Sequence, residues 1–270
     1  MMQTDDQLRP PRPSLRQRIR EFGMGMHYTI RKPHFLVVLG MHRSGTSFVT
    51  KTLNLLGVSF GQTIVDQVAP DNGEIHWESP ASVWINDEIL GRSGGTWESP
   101  PQDIRPHWRD LWRCRRFLWN YASCRLCVYK DPRLLLTYNV WRQVLPQHTI
   151  IACVRNPQSV AQSLAKRDGM SIEQGLQLWA AYNKHLLEYS TSGTPIIWVD
   201  FDQGRTAAHR LVHQVCHRFK LPPTREALEH YNADSHHHLN ISELPDDTAS
   251  LYSELRQKID EEAHVPVTGN

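Results

Sequence analysis

The chain has 270 residues, enough for one large domain with a buried core, and its 30 Lys and Arg against 28 Asp and Glu leave a formal charge of +2. So mild a balance excludes partners chosen by bulk charge, and neither nucleic acid nor an anionic membrane surface is expected. Five cysteines without framework spacing exclude a disulfide-stapled scaffold; with no long apolar stretch and no signal-like N-terminus, the chain reads as a cytoplasmic protein.

Residues 1–33, rich in Arg, Pro and Met, read as a flexible basic arm with one short helix over 14–22. After Pro33 short, continuous apolar runs appear at 35–39, 126–129, 149–154 and 195–199, as in strands covered on both faces. Helical spacing fills the intervals at about 46–56, 81–91, 106–121, 134–144, 157–167, 171–190 and 203–219. Strands alternating with helices predict an α/β domain over 34–232, a parallel sheet flanked by helices in three layers. Residues 233–270 read as a loop, a final short helix and a tail. The stretch 57–105, dense in Gly, Pro, Trp and acidic residues, is irregular enough to supply functional loops.

The first strand runs into "GMHRSGTS" at 40–47, and a helix begins near Thr46. Unpaired N–H groups at a helix start suit an anion. Gly45 lets the backbone approach one closely, and the Ser44, Thr46 and Ser47 hydroxyls add hydrogen bonds. Triphosphate-binding loops of similar form carry Lys where this chain has Thr46. Here the loop's cation is Arg43, an arrangement suited to a single terminal phosphate without a metal. In the second half of the chain Arg155 ends an apolar strand, Pro157 suits the first turn of a helix, and Ser163 lies two turns along it. A strand-end guanidinium and that hydroxyl can grip a second phosphate, or Arg155 can simply pair with a surface carboxylate.

"HRSGTSF" at 42–48 resembles the 5′-phosphosulfate loop of the sulfotransferases, and "CVRNPQSVAQSL" at 153–164 resembles their second signature, an Arg and a Ser eight residues apart. "YKDPRL" at 129–134 and "DNGEIHWES" at 71–79 look like parts of a bacterial-type branch, so the resemblance spans roughly 34–200. It implies a P-loop-like fold and a donor, 3′-phosphoadenosine-5′-phosphosulfate, whose isolated 3′-phosphate explains the missing lysine. It also implies a hydroxylated acceptor, a glycan or small molecule, and no metal. Arg43, Ser44, Gly45, Thr46 and Ser47 would hold the 5′ end, and Arg155 and Ser163 the 3′-phosphate. Phe48 would stack on adenine or face the core. The Arg- and Gly-containing C-terminal segment of the cytosolic branch has no counterpart here.

The same resemblance makes Glu78 the candidate base, with Glu74 and His76 as rivals, and burial beside Trp77 and Trp84 would suit it to take a proton near neutrality. Lys130 and Arg133 could contact sulfate or an acidic acceptor, with Lys130 the favoured site residue; equally, Asp131 and Arg133 could form a structural ion pair that fixes the strand end. Over 106–121, Trp108, Leu111, Trp112, Leu118 and Trp119 are expected to face the core, with Arg109, Arg113 and Arg116 in solvent. Cys124 and Cys127 lack the second pair a zinc site needs, and consecutive His236, His237 and His238 cannot easily converge on one ion. Two other functions fit parts of the pattern. A small-molecule kinase would need a loop lysine and magnesium, and a non-catalytic nucleotide-binding module would need no base.

Overall fold

The computed structural model describes residues 33–62, 77–231 and 244–263; Glu74, His76, His236–His238 and the N-terminal arm fall outside them. At its centre β1 (His34–Leu39), β2 (Leu126–Lys130), β3 (His148–Val154) and β4 (Ile196–Asp200) form a sheet in the order β2-β1-β3-β4, parallel throughout. Each strand end falls within one residue of its expected place. Around the sheet lie α1 (Thr46–Leu55), α2 (Pro80–Arg92), α3 (Trp108–Leu118), α4 (Leu134–Trp141), α5 (Pro157–Asp168), α6 (Ile172–Ser190), α7 (Arg205–Phe219), α8 (Arg225–Glu229) and α9 (Asp246–Ala263).

Side-chain alternation along β1 divides the core in two. Phe35, Val37 and Leu39 pack with α2 to α6 and α9, whereas Leu36 and Val38 pack with α1, α7 and α8. Helices therefore cover both faces, which is why the strands read as unbroken apolar runs. The connection after β1 enters α1 on one face, and the one after β3 enters α5 on the other. In the strand order this is where the winding reverses, and the crevice at the carboxyl ends of β1 and β3 is the place where such sheets take ligands.

Two expectations need correction. Helix α3 buries Asp110, Cys114, Phe117 and Leu118, while Trp108 and Trp112 are 67% and 54% exposed. The guanidiniums of Arg109 and Arg116 lie over those two indoles at 5.3 and 5.4 Å, so cation–π contact replaces the expected burial. Arg113 turns inward instead, over Trp84 at 4.7 Å and against Glu88 at 3.1 Å. The last helix is not short: α9 has 18 residues and sends Leu255 and Ile259 into the larger core cluster. No helix among the described residues is long and apolar enough to cross a membrane.

Candidate functional site

The loop between β1 and α1 is built on positive backbone angles. Arg43 has φ 66° and Gly45 φ 84°, and Gly45 caps α1, whose first residue is Thr46. At Gly45 a side chain is excluded twice over. The φ disfavours it, and a Cβ would stand 2.2 Å from the ring of Phe201, in the turn that follows β4. Gly40 is equally tight, since a Cβ there would stand 2.8 Å from both Cys153 Cβ and Thr46 Cγ2. The loop is thus pressed against the ends of β3 and β4, and its amides open at the helix start.

The second signature meets it there. Asn156 caps α5, its side chain accepting from the N–H groups of Gln158 and Ser159, with Pro157 as the first helical residue. Two turns on, Ser163 Oγ accepts from Arg43 Nε at 2.7 Å, and Arg155 Nη1 donates to the Arg43 carbonyl at 3.0 Å. Segments 112 and 120 residues apart therefore share one crevice. Arg155 lies over the Phe201 ring at 5.1 Å and 3.8 Å from Asp202, which accepts from the Asn156 N–H at 2.5 Å. Burial is the largest influence on both of these charges, lowering the pKa of Arg155 and raising that of Asp202.

Among the described residues, three buried polar atoms around this crevice have no hydrogen-bond partner: His42 Nε2, Ser44 Oγ and Arg155 Nε. A native fold rarely leaves such groups unpaired. Ser44 and Arg155 belong to the two expected phosphate grips; Arg155 also has the carboxylate pairing left open above, in Asp202 at 3.8 Å, and a phosphate would offer Ser44 Oγ and Arg155 Nε a hydrogen-bond acceptor at closer range. His42 was not singled out by its sequence context. Burial, then the cations Arg133, Arg167, Lys130 and Arg43, hold its pKa well below the usual imidazole range, so it stands neutral against Trp97 at 4.5 Å between ring centroids.

Phe48 packs at the edge of the smaller core cluster. It is half-buried among Phe201, His230 and Tyr231, at centroid distances of 5.8, 4.6 and 5.7 Å. Of these partners only Phe48 was legible in the sequence. The apolar rings after β4 and α8 carried no motif.

At the end of β2 a buried ammonium joins the first loop to the candidate base. Lys130 Nζ donates to Glu78 Oε1 at 2.6 Å and to Ser47 Oγ at 3.3 Å. Glu78 also has Arg133 Nη1 at 3.9 Å. The aromatic wall expected around Glu78 is turned elsewhere: Trp77 stacks on Phe60 at 5.1 Å, and Trp84 lies beneath Arg113. Two cations face the carboxylate instead. Behind Lys130, fully buried Asp131 accepts from Ser82 Oγ, Asn86 Nδ2 and the Arg133 N–H, at 3.1, 2.8 and 3.0 Å. Burial, followed by the Glu78 charge, raises the pKa of Asp131. Arg133 is held in turn by Asp87 at 2.6 Å and Asp131 at 3.4 Å, the ion pair expected at the strand end.

No family model matches the sequence, and no curated protein matches it. Among solved structures the chain is similar to the sulfotransferase domain of the Synechococcus PCC 7002 olefin synthase, with 13% identity over 84% of this chain and 96% of that one, at a TM-score of 0.50. It is also similar to sulfotransferase STF1 from Mycobacterium tuberculosis H37Rv, with 13% identity over 90% of this chain and 80% of that one, at a TM-score of 0.46. The likeness to the olefin synthase domain is one of fold.

Proposed function

Because the chain has the fold of a sulfotransferase domain, we propose that it moves a sulfuryl group from 3′-phosphoadenosine-5′-phosphosulfate to a hydroxyl acceptor, a carbohydrate or other small molecule. One observation supports this reading: the Arg43–Ser163 and Arg155–Arg43 contacts, at 2.7 and 3.0 Å, bring the two segments read as anion grips into one crevice. A nucleotide with a polyphosphate chain needs only one such grip, whereas a 3′,5′-substituted adenosine needs two. Ser44 Oγ and Arg155 Nε, which have no hydrogen-bond partner among the described residues, lie one in each of these segments.

In the proposed reaction Glu78 takes the acceptor's proton as its oxygen bonds to sulfur. The bond from sulfur to the 5′-phosphate oxygen breaks on the opposite side, and adenosine 3′,5′-bisphosphate leaves with the bonding pair. Charge grows on that leaving oxygen, where Arg43 and the amides of Gly45, Thr46 and Ser47 would neutralise it. Lys130, which donates to Ser47 and Glu78, would touch the transferred group while holding the carboxylate in place. Phe48, in a cluster of tilted and edge-on rings with Phe201, His230 and Tyr231, would stack on the adenine. Arg155 and Ser163 would bind the 3′-phosphate, each contact to a charged group being worth about 1.5–3 kcal/mol.

The test is incubation of the full chain with donor labelled in its sulfuryl group and a panel of sugar, phenol and alcohol acceptors, with and without chelator. Label transferred to an acceptor in the presence of chelator supports the reading. Transfer seen only from ATP, and only with magnesium, would replace it with a kinase.

A further inference from the structure

The C-x-x-C at 124–127 lies away from the phosphate crevice and takes no part in the proposed transfer. Ser59 links the two cysteines. Its backbone pairs in parallel with Cys127, the Val128 N–H donating to the Ser59 carbonyl at 2.9 Å, so Ser59 and Cys127 point to the same side of the sheet. The Ser59 hydroxyl accepts from Cys124 Sγ at 3.2 Å. Cys124 is turned back toward its partner by the bend in which its N–H donates to the Tyr121 carbonyl at 3.0 Å. Both thiols consequently sit in the same apolar cluster. Cys124 is 7% exposed, between exposed Ser123 and exposed Arg125, while Cys127 lies fully beneath it.

The two sulfurs differ in character. A hydrogen bond from the Cys127 thiol, reinforced by Ser59, Ser123 and the Gly61 N–H, draws Cys124 down to about 6 against the opposing effect of burial. The same contact, with burial, pushes Cys127 up. Burial likewise raises Cys114, Cys153 and Cys216. A readily ionised thiol near the surface, backed by a buried one, is the arrangement of an attacking and a resolving cysteine.

We propose that Cys124 and Cys127 are a redox-active dithiol that closes to an intramolecular disulfide in the presence of a low-molecular-weight disulfide such as oxidised glutathione. The Cys124 thiolate attacks one glutathione sulfur, forming a mixed disulfide and expelling one glutathione thiolate. Cys127 then loses its proton to that thiolate and attacks Cys124 Sγ, expelling the second glutathione. Two protein thiols are oxidised to one disulfide, and one glutathione disulfide is reduced to two thiols. The new bond removes the Cys124–Ser59 hydrogen bond. Ser59 precedes Phe60, which stacks on Trp77 beside Glu78, so the pair adjoins the segment that carries the candidate base.

The test is treatment of the reduced full chain with oxidised glutathione, followed by denaturing alkylation and tryptic mass spectrometry. Because trypsin cuts after Arg125, a Cys124–Cys127 disulfide joins two separate peptides, 117–125 and 126–130. The expected result is that linked pair, with the other three of the five cysteines alkylated. Cys127→Ser is expected to stop at glutathione on Cys124, and Cys124→Ser to show neither product at either position. Five alkylated cysteines in the treated wild type, or glutathione on Cys124 and Cys127 separately with no linked peptide, would overturn the proposal.

Discussion

Lys130 and Glu78 offer the sharpest test of how the site is held together. The Lys130 side chain is 2% exposed and that of Glu78 14%, their contact is 2.6 Å, and the next cation, Arg133, stands 3.9 Å from the carboxylate. In Lys130→Met the carboxylate keeps, among the described residues, only that longer contact. Breaking a buried pair from one side costs about 3–5 kcal/mol, most of it the penalty on the charge left behind. Glu78→Gln is milder, about 1.5–3 kcal/mol, because its amide oxygen still accepts from Lys130 and the ammonium keeps Ser47. With both replaced, neither charge remains to be desolvated. The double variant should therefore be more stable than the sum of the single losses by about 2–3 kcal/mol. Urea unfolding of the wild type and the three variants, at neutral pH and fixed ionic strength, measures this cycle. Losses that add to within about 0.5 kcal/mol would refute the reasoning, since they would mean that the two groups do not sense each other. The same variants separate structure from chemistry. Glu78→Gln should lower turnover by about 10²–10⁴-fold while binding adenosine 3′,5′-bisphosphate within about threefold of wild type. Turnover unchanged in that variant would remove Glu78 from the mechanism.

Gly45→Ala combines a disfavoured backbone angle, worth about 1–2 kcal/mol, with overlap on the Phe201 ring, worth about 1–3 kcal/mol; thermal unfolding should reveal the loss, and calorimetric titration a nucleotide affinity at least about tenfold weaker. Arg155→Lys keeps the charge but not the planar fork, so it should weaken adenosine 3′,5′-bisphosphate by about 10–100-fold and leave 5′-AMP, which lacks the 3′-phosphate, nearly unchanged; equal loss for both ligands would count against the assignment. Burial lowers the pKa of His42 in the fold below its ordinary 6.5. As pH falls below 6.5 the unfolded chain gains a proton that the folded chain refuses. Stability attributable to His42 should therefore fall by up to about 1.4 kcal/mol per pH unit until the folded pKa is reached. In His42→Gln the stability profile from pH 7 to pH 5 should be shallower than in wild type, and an identical slope would contradict this.

What could be read from the sequence was local. The strands were visible because both faces of each are covered, and the loop at 40–47 because a Gly, an Arg and three hydroxyl residues fall between a strand and a helix. The face of α3 was misread at Trp108 and Trp112, which find their partners in guanidiniums, whereas Leu111, Leu118 and Trp119 lie in or against the core as expected. Helix α9 looked short because its deeply buried residues, Leu255 and Ile259, are one turn apart among polar neighbours. The Glu78–Lys130 pair joins positions 52 residues apart across an irregular stretch, and no periodicity records such a contact. Asp202 and Phe201 were invisible for a similar reason: their importance comes from the sheet placing the end of β4 beside the ends of β1 and β3.

The claim on which all this turns is that a single adenosine is held at both ends, and co-crystallisation with adenosine 3′,5′-bisphosphate tests it most directly. The expected density is one nucleotide, its 5′-phosphate on the amides at residues 45–47 and its 3′-phosphate on Arg155 and Ser163. A nucleotide that reaches only one of those two grips, or that lies outside the crevice between β1 and β3, would contradict it.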